Sequence, residues 1–185
     1  MNAYAMPTSL EIGGVGYKIR TDFRAILDIL IAMMDPELDK QAKSIVLIQI
    51  LYEKWEEIPT EFLEEAIEKG CNFIDCGQKD DGRPKPQMID WEQDASIIIP
   101  AINKTAHTEV RSVPYMHWWT FFSYFMEIGE SLFANVLSIR QKKIKGQKLE
   151  KWEMEFYKEN RSIIDLKKKI SQEEQEEKDK IMKWL

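Results

Sequence analysis

Residues 9–34 read SLEIGGVGYKIRTDFRAILDILIAMM, and the spacing of apolar residues changes once within this stretch. Up to Ile19, apolar and polar side chains alternate on either side of a glycine-rich turn, a pattern that predicts a β-hairpin. After Asp22 the apolar residues recur instead every three or four positions, as they do on one face of an α-helix. Thr21 or Asp22 can cap that helix. The stretch therefore predicts a hairpin that leads directly into an amphipathic helix ending near Met34.

The residues that follow predict more helices joined by short turns. We expect them over residues 37–55, from residue 59 to about 74, and over 89–108, 115–128 and 131–143. Gly70 is a candidate early end for the second of these, and Pro100 should kink or split the third. Residues 78–87 combine loop breakers with almost no apolar side chain, which predicts a surface loop. The predicted class is mainly α, with an N-terminal β-hairpin, a five- to six-helix bundle and an extended C-terminal helical segment.

The C-terminal segment has its own apolar pattern. Its apolar residues, which we call the C-terminal seam, are spaced by three, four or seven positions: Leu149, Trp152, Phe156, Ile163, Leu166 and Ile170. This heptad-like pattern is interrupted at Glu159, and it predicts a helix that either folds back on the bundle or pairs with another chain. Residues 171–180 are entirely polar, and residues 181–185 are apolar again. These last residues either dock on another surface or form a frayed end. We therefore predict two units, residues 1–145 and residues 146–185.

Composition and charge exclude several classes of protein. With 185 residues and 44% apolar side chains, the chain can bury one substantial core. Its longest apolar runs are far shorter than a membrane span, and its N-terminus lacks the pattern of a secretory signal, so we expect a cytoplasmic protein. Residues 1–99 carry 10 basic and 19 acidic side chains, which argues against nucleic acid binding there. Residues 140–169 carry 11 basic and 5 acidic side chains, for which a solvated helix face is favoured over an acidic partner.

Candidate catalytic residues all have a simpler structural interpretation. No nucleophile elbow, zinc-protease helix or phosphate-binding loop is present. The two cysteines, five positions apart, are expected to be buried thiols, since a zinc site would need two more soft ligands nearby. Asp90, Glu92 and Asp94 are expected to act at the positive end of a helix. His117 is expected to pack or to donate a hydrogen bond. We therefore predict no enzyme, and no catalytic, cofactor-binding or metal-binding residue.

The most informative segment is aromatic. Residues 115–126 read YMHWWTFFSYFM, and a helix with this sequence is apolar nearly all round. Such a helix is either packed on most sides, which is the favoured interpretation, or partly reserved for a partner. The C-terminal seam leaves the same choice open. The candidate partner-binding residues are therefore Trp118, Trp119, Phe122, Leu149, Trp152 and Phe156.

Four segments together resemble a known family. They are residues 12–24 (IGGVGYKIRTDFR), 90–94 (DWEQD), 116–121 (MHWWTF) and 138–140 (SIR). In this order they resemble the gene-product-fifteen family, tail-region proteins of long-tailed bacteriophages, over about residues 9–160. The most specific piece is the His-Trp-Trp box that follows the Asp-aromatic-x-x-Asp segment.

The resemblance implies a non-catalytic tail assembly chaperone of an infecting phage or prophage. Such a protein would bind the helical tape measure protein in the host cytoplasm, yield to tail tube subunits, and be missing from the mature virion. One alternative is a structural or adaptor subunit of the tail that forms a homo-oligomer through the C-terminal seam. A less favoured alternative is a small helical regulator that binds nucleic acid through residues 140–169.

Overall fold

A computed structural model describes residues 5–78, 82, 86–167, 176 and 180. The chain begins with an antiparallel hairpin of β1 (Ser9–Ile12) and β2 (Val15–Lys18), in which Ile12 is opposite Val15. The two turn residues have positive φ, 55° at Gly13 and 81° at Gly14. A two-residue hairpin turn requires this conformation, which glycine adopts without steric cost. The predicted hairpin is confirmed.

Helices make up most of the described residues after the hairpin. They are α1 (Phe23–Met33), α2 (Lys40–Leu51), α3 (Leu63–Ile74), α4 (Ala95–Ala106), α5 (Trp118–Met126), α6 (Leu132–Ile144), α7 (Lys151–Glu159) and α8 (Arg161–Ile164). Short 3-10 turns lie at Trp55–Glu57, Thr60–Phe62 and Val110–Ser112. The Asp22 side chain caps α1, and Asp22 is one of the two residues predicted to do so. The mainly α class is confirmed. No helix in the described ranges is long and apolar enough to cross a membrane.

Helix α2 ends at Leu51, so the expectation that it continues to residue 55 is wrong. Tyr52 has an extended backbone and forms an antiparallel bridge with Ile19. The Arg20 amide donates to the Leu51 carbonyl at 2.7 Å. The Tyr52 side chain is buried, and its hydroxyl donates to the Ala66 carbonyl at 2.7 Å. A tertiary contact with the hairpin therefore ends a helix that the local pattern would have extended.

Two predicted helix breakers lie inside helices. Gly70 is within α3, where an added Cβ would lie 2.8 Å from a methyl carbon of Leu47 and 2.9 Å from one of Leu51. Glycine here allows α2 and α3 to approach closely, so it does not end the helix. Pro100 is within α4, which is continuous and is not split. That helix begins at Ala95 and not at residue 89. Part of the predicted loop at residues 78–87 lies outside the described residues.

The core is a single cluster shared by the hairpin and the helices. Helix α1 packs against α2 and α5, α2 against α3, and α4 against both α5 and α6. Phe23 of α1 stacks on Phe121 of α5, with ring centroids 4.3 Å apart. The largest fully buried side chains are Trp118, Tyr52, Phe73, Phe121 and Phe133. Helix α5 therefore lies between the two groups of helices.

The described part of the C-terminal segment folds back on the bundle. Helix α8 packs against α6, and Ile164 is buried. Leu149, Phe156 and Ile163 are partly buried against the core cluster, whereas Trp152 is exposed. Leu166 is partly buried, and the last seam residue, Ile170, lies outside the described residues, as do residues 171–175 and 181–185. The boundary between two units at residue 145 stays a prediction.

Candidate functional site

Helix α5 begins where the hairpin end and α1 meet it. His117 is the N-cap residue, and its Nδ1 accepts the Trp119 amide at 3.1 Å. The other ring nitrogen, Nε2, lies 3.1 Å from the Pro7 carbonyl and therefore donates to it. The Trp118 amide donates to the Thr21 carbonyl at 2.7 Å. His117 thus fixes the position of α5 through hydrogen bonds, in agreement with its expected role.

The two adjacent tryptophans of α5 have different environments. Trp118 is 1% exposed, and its indole N–H donates to the Ile74 carbonyl at 2.7 Å. Its ring packs against Trp91 and Phe121. Trp118 is therefore a core residue, and its assignment to a partner-binding surface is wrong. The helix is sandwiched on the side of Trp118, because α4 and the 88–94 segment cover that side.

Trp119 and Phe122 lie on the outer side of α5 and are partly buried. The Trp119 indole N–H donates to the Phe73 carbonyl at 2.9 Å, which fixes the edge of the ring at the end of α3. Together with Cys76 and Met126 these residues line a groove of about 530 Å³. Met126 is 59% exposed at its edge. We call these four residues the α5 groove.

Polar groups make up about half of the accessible lining of the α5 groove. Gly77, Gln78, Ser123 and Glu127 complete its lining. Ser123 is engaged locally, since its hydroxyl donates to the Trp119 carbonyl. Cys76 has a positive φ of 54°, and burial raises the pKa of its thiol to about 12. Its sulfur is therefore protonated and apolar at neutral pH. The groove can pack against apolar side chains and offers no activated nucleophile among its described residues.

The cysteine prediction is wrong in one respect. Both thiols are free, but Cys71 is exposed and Cys76 is only partly buried. The pKa of Cys71 is also raised, first by desolvation and then by the nearby charge of Asp75. No group of three or more histidine, cysteine or acidic residues suited to a metal ion was found in the part of the chain that is described.

Asp94 and Arg140 form a buried ion pair that the sequence did not predict. Two bonds, of 2.6 and 2.8 Å, join the guanidinium to the carboxylate, and the side chains are 4% and 1% exposed. Arg140 also donates to the carbonyls of Met88, Ile163 and Ile164. It thereby connects the segment before α4 with α6 and α8. Asp94 does lie at the N-terminus of α4, as expected, but its carboxylate pairs with Arg140 and makes no capping bond to the helix. Asp90 accepts the amides of Glu92 and Gln93.

Helix α7 is attached to α6 mainly by polar contacts. Lys142 places its ammonium 2.7 Å from both carboxylate oxygens of the buried Glu153, and this contact lowers the pKa of Glu153. Lys143 bonds to Asp165 and to the Tyr157 hydroxyl. Several cations of the basic stretch are therefore used within the fold. Trp152 is left on the outer side, 53% exposed.

The fold and the groove define a small, mainly helical protein, in which Asp22 pairs with His117 and Asp94 pairs with Arg140. A family model described as Bacteriophage Gp15 protein matches residues 4–166. The chain belongs to this family, which confirms the resemblance and makes it a bacteriophage protein. Comparisons with curated proteins and with solved structures found no match.

Proposed function

We propose that this phage protein is a non-catalytic tail assembly chaperone that binds helical segments of the tape measure protein. The observation that carries the proposal is the α5 groove, which brings two partly accessible aromatic rings and an exposed methionine together. Exposed apolar surface bordered by polar residues is typical of protein interaction sites. The family provides the phage context.

The shape of the groove suits one face of an amphipathic helix. Apolar anchors at successive turns of a helix commonly dock into an apolar groove of this kind. Trp119 supplies a rigid wall because the Phe73 carbonyl holds its indole N–H. Met126 supplies an adaptable edge, since methionine fits irregular apolar surfaces. A rigid wall with an adaptable edge favours weak binding to many similar helices, which a protein with a long helical client requires.

The rest of the proposal follows from this role. A chaperone of this kind acts by covering apolar helices before they aggregate, and it needs no reactive group. It would act in the cytoplasm of the host and leave when tail tube subunits take over the tape measure protein. It would then be missing from the mature virion.

Co-expression with the tape measure protein of the same phage tests the proposal. We expect the native chain to keep the client in the soluble fraction. Met126→Glu places a charge at the edge of the α5 groove and should reduce the retained client by roughly tenfold, because a buried charge in an apolar contact is strongly disfavoured. The matched control is Ile45→Glu on α2, where the isoleucine is also exposed and lies outside the groove lining.

Two outcomes would contradict the proposal in different ways. A client that stays insoluble with the native chain would argue against the chaperone role. A client retained equally well by the native chain and by Met126→Glu would place the binding surface elsewhere.

A further inference from the structure

Helix α7 has an outer face that its own chain does not cover. Successive i, i+4 rows divide the helix surface into four ridges. The ridge of Glu153 and Tyr157 is turned toward α6 and carries the contacts to Lys142 and Lys143. The next ridge contains Trp152 and Phe156, and of these Trp152 is more than half exposed. A large indole ring thus lies at the surface of a helix held in place by ion pairs on another side.

The ridge on the far side of Trp152 carries an ordered set of charges. It runs Lys151, Glu155, Glu159, from one basic residue at the start of the helix to two acidic residues in its second half. All three side chains are exposed, and none forms an ion pair within the part of the chain that is described. The remaining ridge, Met154 and Lys158, lies opposite to Trp152.

This charge order is complementary to itself only in one orientation. When two such ridges overlap fully and run antiparallel, Lys151 of each helix meets Glu159 of the other, and only Glu155 meets its own copy. When they run parallel, lysine meets lysine and glutamate meets glutamate, which is unfavourable. An antiparallel pair of identical helices has two-fold symmetry, the most common symmetry of homodimers.

We propose that α7 is a self-association surface, through which two copies of this chain pair antiparallel with Trp152 of each copy at the contact. A second copy of the chain occupies the exposed face, because the charges beside Trp152 are complementary to those of the same helix running in the opposite direction. A contact limited to one short helix from each copy is small, so the dimer is weak and depends on concentration. The surface is separate from the α5 groove and does not depend on the proposed chaperone function.

Sedimentation velocity of the full chain, from low to high micromolar concentration, tests the proposal. We expect a monomer–dimer equilibrium at low salt. Trp152→Ser should weaken the dimer by roughly tenfold or more, since a central tryptophan commonly dominates an interface. Lys151→Glu should weaken it by a similar factor, because it sets like charges against each other. Met154→Ser, an exposed residue on the opposite ridge, is the matched control and should leave the equilibrium unchanged.

A mixing experiment gives the sharpest result. Lys151→Glu makes the ridge entirely acidic, and the double variant Glu155→Lys/Glu159→Lys makes it entirely basic. Each variant alone should be monomeric, and an equal mixture should form a one-to-one complex that high salt dissociates. Circular dichroism confirms that each variant is folded. A native chain that is monomeric throughout, a dimer insensitive to Trp152→Ser or Lys151→Glu, or two variants that do not associate would overturn the proposal.

Discussion

Replacing Arg140 by methionine is expected to lower the free energy of unfolding by about 3–5 kcal/mol. The loss is large because Asp94 would keep its charge at a buried position without a partner. The carbonyls of Met88, Ile163 and Ile164 would lose their donor in the same step. Natural domains are stable by only about 5–15 kcal/mol, so a substantial part of the stability would be lost. Urea denaturation followed by circular dichroism measures the change.

Two further variants isolate the buried charge as the cause. Arg140→Met combined with Asp94→Leu removes both charges and should recover part of the lost stability, because no unpaired carboxylate remains. Arg111→Met breaks the exposed ion pair with Glu109 and should change stability little, since solvent already screens that pair. If Arg140→Met were as stable as Arg111→Met, the ion pair would not hold the C-terminal segment to the bundle.

Replacing Trp118 by alanine is expected to cost about 3–5 kcal/mol of stability, the usual range for a fully buried aromatic ring. The variant loses ring contacts with Trp91 and Phe121 and the hydrogen bond to the Ile74 carbonyl. Trp118→Phe keeps much of the packing and loses the hydrogen bond, so its cost should be smaller. Thermal unfolding of the native chain, Trp118→Phe and Trp118→Ala should show stability decreasing in that order.

The neighbouring tryptophan provides the comparison. Trp119→Ala should cost less stability than Trp118→Ala, because Trp119 is only partly buried. Under the proposed function it should instead weaken client binding. A Trp118→Ala protein with native stability would contradict the assignment of Trp118 to the core.

Local sequence patterns predicted those parts of the fold that depend on local physics. The hairpin follows from alternation around glycines with positive φ, and α6 begins at the capping residue Ser131. The end of α2 at Leu51 was missed because it depends on a bridge to Ile19, a residue distant in sequence. The ion pair of Asp94 with Arg140 was missed for the same reason. Pairs of this kind become visible only when the helices are packed.

The candidate site was predicted only in outline. The all-round apolar character of residues 115–126 indicated either core or partner, and both are present on different sides of α5. Sequence could not separate Trp118 from Trp119, since the packing of Trp91 and of the α3 end decides which ring is covered. Met126 lies within the aromatic segment 115–126 and could have been predicted as a partner-binding residue. Cys76 joins the groove through a left-handed backbone that no pattern indicates.

The motifs that carry the family resemblance mainly hold the fold together. The segment around Asp22 pairs with His117 at the start of α5, and Asp94 pairs with Arg140. These motifs therefore include core residues such as Trp118 and Arg140, and also Trp119, which lines the α5 groove. Function has to be argued from the accessible α5 groove.

The most direct test of client binding at the α5 groove is site-specific photo-crosslinking between the chain and the tape measure protein during co-expression. A photoreactive amino acid at position 126, at the edge of the α5 groove, is compared with the same amino acid at position 45 on α2. If the α5 groove binds the client, position 126 should form an adduct with an apolar helical segment of the tape measure protein, and position 45 should form little of it. Adducts from position 45 alone, or no adduct from position 126 while the client stays soluble, would contradict it.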